Sequence, residues 1–351
     1  MSIKPCGVFN YRYGQDMAVI RTWPQWITFF LFLIFLSVIP LFASQYILGV
    51  LITIFIYIVV VMGLNILTGY CGQISVAQSA FMAVGAFTTG ILVTKVGLSH
   101  WLALPCAGIV ASLIGLIFGF PSFKVKGLYL ALISIGAQFI IIYVILHWES
   151  LTDGIHGIFI EPARIGPMVF DRGETFYYLA LVMAAVVTYF TRNIVRTRAG
   201  RAFVAIRDND IAAEVMGINI TAYKMIAFFV GCFFAGIGGW LWVLYIGVAS
   251  VDHYSLNESV WFLAMVVIGG MGSVPGTIFG VVFVEILREI SVLLGPMVGD
   301  AIPLIRTTIG TALPLLVLGL VVVVFLIFEP RGLAHRWEIL KMAYRLWPYS
   351  R

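Results

Sequence analysis

Long apolar runs separated by short polar breaks occupy most of the chain. Crossing a bilayer takes about 20 mostly apolar residues in helical form. Ten stretches have that character: Trp26–Ala43, Tyr46–Ile66, Ser75–Val96, Trp101–Phe120, Leu128–Trp148, Phe176–Thr191, Met225–Gly247, Val260–Met271, Thr277–Leu294 and Thr308–Phe328. The eighth is short. The pattern predicts an all-α, polytopic membrane helical bundle with about ten transmembrane helices, some broken or re-entrant. Three regions follow: an N-terminal segment over 1–25, a transmembrane domain over 26–328 that includes a polar loop at 192–224, and a tail over 329–351.

Composition supports this class. Hydrophobic residues make up 62% of the chain and charged residues 11%, where soluble domains carry about a quarter charged; the mean hydropathy is +1.05. The net charge of +5 does not point to nucleic acid, because the basic residues sort by membrane side instead of forming one patch. The loop carries Arg192, Arg196, Arg198, Arg201, Arg207 and Lys224, and such clusters stay cytoplasmic. With the loop inside, alternation puts both termini inside. Sixteen of the 21 Lys and Arg then lie inside, and only Lys95, Arg164, Arg172, Arg288 and Arg306 lie outside or at outer ends. The N-terminal segment lacks an apolar core followed by a cleavage site, so it is expected to be retained. Cys6, Cys71, Cys106 and Cys232 and the five histidines show no metal or redox spacing, and the expected metal set is none.

Within the loop, Phe203, Ile206, Ile211, Val215 and Met216 recur among charged residues at helical spacing, which predicts a short amphipathic helix or helix pair suited to a partner. Asp208, Asn209 and Asp210 are candidate caps for a helix that starts at Ile211 and ends at Gly217. Two further stretches interrupt the spans. Asn65–Phe81 gathers Asn65, Gly69, Gly72, Gln73, Ser75, Gln78 and Ser79, and Gly269–Gly276 holds Gly270 and Ser273. Paired discontinuous helices mark translocation sites in transporters, so Asn65, Gly69, Gln73, Ser75, Gln78, Ser79, Gly270 and Ser273 are pathway candidates. Packing is the other role open to these residues, since small and polar side chains also join neighbouring helices. Glu285, Arg288 and Glu289 form the one charged cluster inside an apolar run, as pairs on one helix face or as a lip for a soluble protein.

The run Ile211-Ala212-Ala213-Glu214-Val215-Met216-Gly217 resembles the cytoplasmic Glu-Ala-Ala, three residues, Gly signature of permease subunits in binding-protein-dependent ABC importers. Ile211 stands where that signature has Glu. The longer pattern, from Gly200-Arg201-Ala202 through Ala205-Ile206-Arg207-Asp208 to Met216-Gly217-Ile218-Asn219, is similar to the branched-chain amino-acid permeases. So are Asn65–Ser75, Leu151–Ile158 with its turn glycines Gly154 and Gly157, Gly269–Ser273, and Glu329-Pro330-Arg331-Gly332-Leu333 at the close of the last span.

The resemblance implies a permease subunit that translocates branched-chain or similar amino acids. Arg207, Asp208, Asp210, Ile211, Ala212, Ala213, Glu214 and Gly217 would couple it to ATPase subunits. Ala212, Ala213 and Gly217 would form the socket face, and Asp208, Asp210 and Glu214 its rim. The implied partners are two ATP-binding-cassette subunits, a second permease (identical or homologous), a soluble extracytoplasmic substrate-binding protein and the bilayer of a bacterial inner membrane. The chain itself would bind no cofactor, ATP and Mg being used by the ATPases. The outer loop from Glu149 to Thr175 is either a docking site for the binding protein or a solvated connection. No phosphate-binding loop or catalytic constellation occurs, which argues against an enzyme. A channel or secondary carrier for a small polar solute such as urea or an amide is the alternative. Scarce ionisable groups within the spans favour a transporter powered by a separate ATPase over an ion-coupled one.

The orientation has a direct test. A cysteine at position 209 should stay unlabelled by an impermeant thiol reagent added to intact cells and react once the membrane is opened; labelling from outside would reverse the topology.

Overall fold

Side-chain caps set several helix starts. Ser44 Oγ accepts from the Ile47 N–H ahead of α1 (Gln45–Leu64), and Ser99 Oγ from the Leu102 N–H ahead of α3 (His100–Gly119). The computed structural model describes residues 34–123, 127–165, 168–170, 173–301, 306–329 and 332–346, with positions 27, 31 and 125. The segment 1–25, Lys124, Lys126, Asp171, Arg172, Pro330, Arg331 and Arg351 lie outside them. The first apolar stretch, Trp26–Ala43, is described only in part. The remaining helices are α2 (Gln78–Thr94), α4 (Leu128–His147), α5 (Glu174–Arg196), α6 (Arg198–Asp208), α7 (Asp210–Val215), α8 (Ile220–Ile246), α9 (Leu256–Gly269), α10 (Val274–Ala301), α11 (Arg306–Phe328) and α12 (Gly332–Leu346). Each of the nine later apolar stretches falls on one of these helices.

Among the described residues, α1 with its continuation to Tyr70, α3, α4, α5 and α8 are each long and apolar enough to cross a membrane alone. Helices α2 and α9 are apolar but shorter. The chain is an all-α, multi-pass membrane bundle. Burial separates its interior from its rim: 72% of the most apolar window is buried in α1 and in α8, against 39% in α3, 33% in α4 and 28% in α5. Helix α8 packs on α3, α2 and α1. Leu132, Phe139, Ile140 and Tyr143 of α4 stay exposed, as expected of side chains that face lipid.

Lipid is as apolar as leucine, so helices in it associate through close packing more than through burial of apolar area. A Cβ at Gly85 of α2 would lie 2.3 Å from the carbonyl oxygen of Gly236 in α8. The two backbones touch there, and only glycine allows it.

Two breaks interrupt the helices. Beyond Leu64 the chain widens into a π-helical turn, Asn65–Tyr70, then runs without regular helix to Ala77 before α2 begins. Helices α9 and α10 are separated by Gly270–Ser273, where Gly270 has φ +109° and Gly272 φ +77°. One end of the bundle, here the Arg207 end, gathers both breaks with α6 and α7. The opposite end carries two small antiparallel sheets: β1 (Ile158–Phe159) pairs with β4 (Val248–Ala249), and β2 (Ala163–Ile165) with β3 (Met168–Phe170). Gly154 and Gly157 sit at φ +55° and +68°, the turn conformations expected of them. The Lys95 ammonium pairs with Asp153 at 2.9 Å at this strand end.

Substituting Gly85 by Val should destabilise the bundle by about 1–3 kcal/mol, the usual cost of overpacking, whereas Gly136→Ala, with nothing within 4 Å of the added carbon, should leave it unchanged. Thermal melting in detergent distinguishes the two.

Candidate functional site at the discontinuous helices

Arg207 is the residue on which the two breaks meet. Its guanidinium donates to the Gly69 carbonyl at 3.0 Å and pairs with Asp208 at 3.0 Å. Cβ atoms at Gly72 and Gly272 would lie 2.9 and 2.8 Å from the Arg207 side chain. A loop residue thus rests on both interruptions at once. Asn65 joins them directly: its Oδ1 accepts from the Gly272 N–H at 2.9 Å, and its Nδ2 donates to the Ser273 carbonyl at 3.2 Å. Gly69 makes room, since a Cβ there would come within 2.0 Å of Asn65 Oδ1 and 2.4 Å of the Gly272 nitrogen. Three pathway candidates, Asn65, Gly69 and Ser273, therefore belong to one junction, and Gly270 opens the second of the two breaks.

The loop folds into the expected helix pair. Phe203 and Ile206 of α6 are buried, and Phe203 sets its ring against Tyr223 at 6.3 Å. Asn209 is the cap, accepting from the Ala212 N–H at 3.1 Å, and Gly217 has φ +83°, the left-handed conformation that follows a helix end. The socket face needs correction at one position. Ala213 is 3% exposed, while Ile211, Val215 and Met216 are 70%, 82% and 84% exposed. Ala213 lies on the inward side of α7, and its carbonyl accepts from the Ile218 N–H at 3.0 Å. The outward face is apolar Ile211, Val215 and Met216, flanked by exposed Ala212, Glu214 and Gly217.

The other pathway candidates lie deeper. Ser79, in the first turn of α2, donates to the Ser255 carbonyl at 2.8 Å, its N–H donates to Ser259 Oγ at 2.9 Å, and the Ser259 hydroxyl donates to Ser79 Oγ at 2.8 Å. Gln138 of α4 accepts from the Ala80 N–H at 3.1 Å and donates to the Tyr254 carbonyl at 2.8 Å. This buried knot ties the starts of α2 and α9 to α4. Gln138 and Ser259 were missed in the sequence, although a glutamine inside a 20-residue apolar span was a usable signal. Gln78 donates to the Val60 and Gly231 carbonyls at 3.1 and 3.2 Å, which is packing between α1, α2 and α8. Ser75 is buried, and Val76 next to it donates to Ser134 Oγ at 2.8 Å. Gln73 is buried with neither side-chain amide atom partnered among the described residues.

The charged cluster on α10 pairs differently from its spacing. Arg288 reaches across to Glu258 of α9 at 3.0 Å, and Glu289 accepts from the Tyr46 hydroxyl at 2.5 Å. Among the described residues neither Glu285 nor Glu289 pairs with Arg288, because α9 presents Glu258 to it from the facing helix.

Interrupted spans, with the interruptions joined to one another and to an amphipathic loop, define a multi-pass membrane protein of the transport class. The family described as branched-chain amino acid transport system, permease component, matches residues 46–326, and the chain belongs to that family. It is similar to the high-affinity branched-chain amino acid transport system permease protein LivM of Salmonella typhimurium, 31% identical over 260 residues covering 67% of this chain and 61% of LivM. LivM of Escherichia coli K12 is 31% identical over 259 residues with the same coverage. LivH of Escherichia coli K12, also named a permease protein of that system, is 23% identical over 258 residues, covering 67% of this chain and 81% of LivH. The aligned region spans less than two thirds of the LivM chains.

Asn65→Leu should strand the Gly272 N–H and the Ser273 carbonyl, at a cost of about 1–3 kcal/mol. Asn65→Asp, which keeps the acceptor but sets a buried carboxylate against the Ser273 carbonyl, should cost at least as much. Thermal melting of the purified variants reads both, and two melting points equal to wild type would remove Asn65 from the junction.

Proposed function

We propose that the chain is the membrane-spanning subunit of an ABC importer that moves branched-chain or similar amino acids. The family match over residues 46–326 carries this reading. The similarity to LivM and LivH, branched-chain amino acid permease proteins, supports the substrate class. Two differently named permease proteins in one organism favour pairing of this chain with a homologous second permease over pairing with itself. A soluble binding protein delivers substrate at the strand end, and two ATPase subunits bind at the Arg207 end, where ATP and Mg are used. The basic residues of α5 to α8 favour placing that end in the cytoplasm of a bacterial inner membrane, with both termini on the same side.

In this reading Ile211, Val215 and Met216 dock into the ATPase, an apolar anchor set within a charged rim of the kind that dominates interface energetics. Asp208, Asp210 and Glu214 at the rim tune encounter and partner choice. Arg207 then passes the movement on. A shift of α6 relative to α1 changes the hydrogen bond to Gly69 and with it the contact between the Asn65–Tyr70 turn and Gly270–Ser273. Those two breaks have unwound backbone that can rearrange without disrupting a long helix, so they serve as the inner gate. The chemistry belongs to the ATPases, and the permease supplies the path.

Val215→Arg should lower ATP-driven uptake and substrate-stimulated ATP hydrolysis together, by about tenfold or more, since loss of an interface anchor costs about 2 kcal/mol. Arg207→Ala should separate the two: the complex still assembles and hydrolyses ATP, but uptake falls. Reconstituted complexes with wild-type uptake in both variants would refute the coupling route.

A further inference from the structure

A cavity of about 120 Å³ opens toward the strand end between α1, α2, α8, α9 and α10. A cavity of about 150 Å³ holds a benzene-sized molecule, so this one takes a branched aliphatic side chain, with the charged end of a ligand at its opening. Its lining is divided. Tyr57, Met82, Trp242 and Phe262 form an apolar wall, with Tyr57 stacked on Trp242 at 5.8 Å and meeting Phe262 edge-on at 5.1 Å. Arg288, Glu258 and Asp252 supply charge of both signs.

Local structure explains how the charges are held. Ser255 Oγ accepts from the Glu258 N–H at the start of α9, which puts the Glu258 carboxylate in a first turn, where the helix dipole favours negative charge. Arg288 donates to Glu258 at 3.0 and 3.4 Å and to the Tyr57 hydroxyl at 3.3 Å, and its guanidinium lies 5.5 Å above the Trp261 ring. Those bonds leave part of its five-donor fork unused. Asp252 is exposed and accepts from Ser250 Oγ at 3.3 Å, with no cation paired to it among the described residues. The indole N–H of Trp242 is buried and has no partner among them either. An ion pair already satisfied by itself would not need a second carboxylate, an unpartnered donor and an aromatic wall around one opening.

We propose that this cavity holds an α-amino acid on its way into the bundle. Its carboxylate is taken by Arg288 and its ammonium by Asp252 and Glu258. An aliphatic side chain lies on Met82, Trp242 and Phe262. Both signs of charge in one small space suit a zwitterion and give an uncharged amide or urea no comparable anchor. The choice of amino acid as ligand rests on the importer reading, whereas the position and polarity of the site rest on the cavity.

The test is saturable binding of tritiated L-leucine to the full-length chain, with the subunits that co-purify with it, in lipid nanodiscs. L-leucinamide, which lacks the carboxylate, and 4-methylpentanoate, which lacks the ammonium, serve as competitors. Arg288→Gln should weaken leucine binding about tenfold or more, the usual worth of a charge-assisted hydrogen bond, and leave leucinamide unchanged. Asp252→Asn, on an exposed side chain outside any ion pair among the described residues, should weaken leucine and leucinamide and spare 4-methylpentanoate, which keeps the proposal testable if the Arg288 variant fails to fold. The proposal is overturned if wild type does not bind L-leucine, or if the Asp252 variant keeps the wild-type order of competitors. Absence of ATP-driven uptake, with leucine binding and its variant pattern intact, would sink the importer reading and leave the site standing.

Discussion

Hydrocarbon offers no hydrogen-bond partner, so every backbone group freed by a helix break must be satisfied inside the protein. That constraint explains the arrangement around the two interruptions. The Gly69 carbonyl finds Arg207, the Gly272 N–H and Ser273 carbonyl find Asn65, and the Gln73 carbonyl accepts from the Thr68 hydroxyl at 3.1 Å. Arg207 and Asn65 reach these groups from distant parts of the chain, so a movement of one partner is felt by the other.

The same demand operates in the middle of the bundle. Helix α2 begins inside the bundle, and its first turn would bury unsatisfied N–H groups if left alone. Ser259 and Gln138 accept from the N–H groups of Ser79 and Ala80, so α2 starts on α9 and on α4. This buried knot adjoins the strand-end cavity, since Ser259 follows Glu258 in α9. The polar residues of the spans thus fall into three groups along the bundle: the junction, the knot and the mixed-charge cavity. Small residues fix the spacing between them by letting α8 approach α2 at Gly85 and Gly236.

Exposure and burial on α7 show how a motif differs from a surface. Ala212, Ala213 and Gly217 are the residues that the signature keeps small. Smallness serves two purposes, however, and the fold divides them: Ala213 is small because it packs against its own chain, whereas Ile211, Val215 and Met216 are large and exposed. The sequence pattern shows that a short amphipathic helix with an Asn209 cap and a glycine end is present, because capping and left-handed backbone are local properties. Which side of a six-residue helix faces outward depends on where α6 and α8 lie, and that is not local.

The sequence by itself determined the class, the two interrupted stretches and the cap and turn residues of the loop, because hydropathy over about 20 residues and the demands of φ > 0 act within a short window. Only the tertiary structure decided what those elements do to one another. Arg207 and Gly69 are 138 residues apart, and Ser79 and Ser259 are 180 apart. Glu285, Arg288 and Glu289 read as partners along one helix until α9 brings Glu258 to Arg288. Hydrogen bonds and ion pairs are satisfied by proximity in space, and in a bundle whose helices differ little in their apolar surfaces, pairwise packing of small residues sets that proximity.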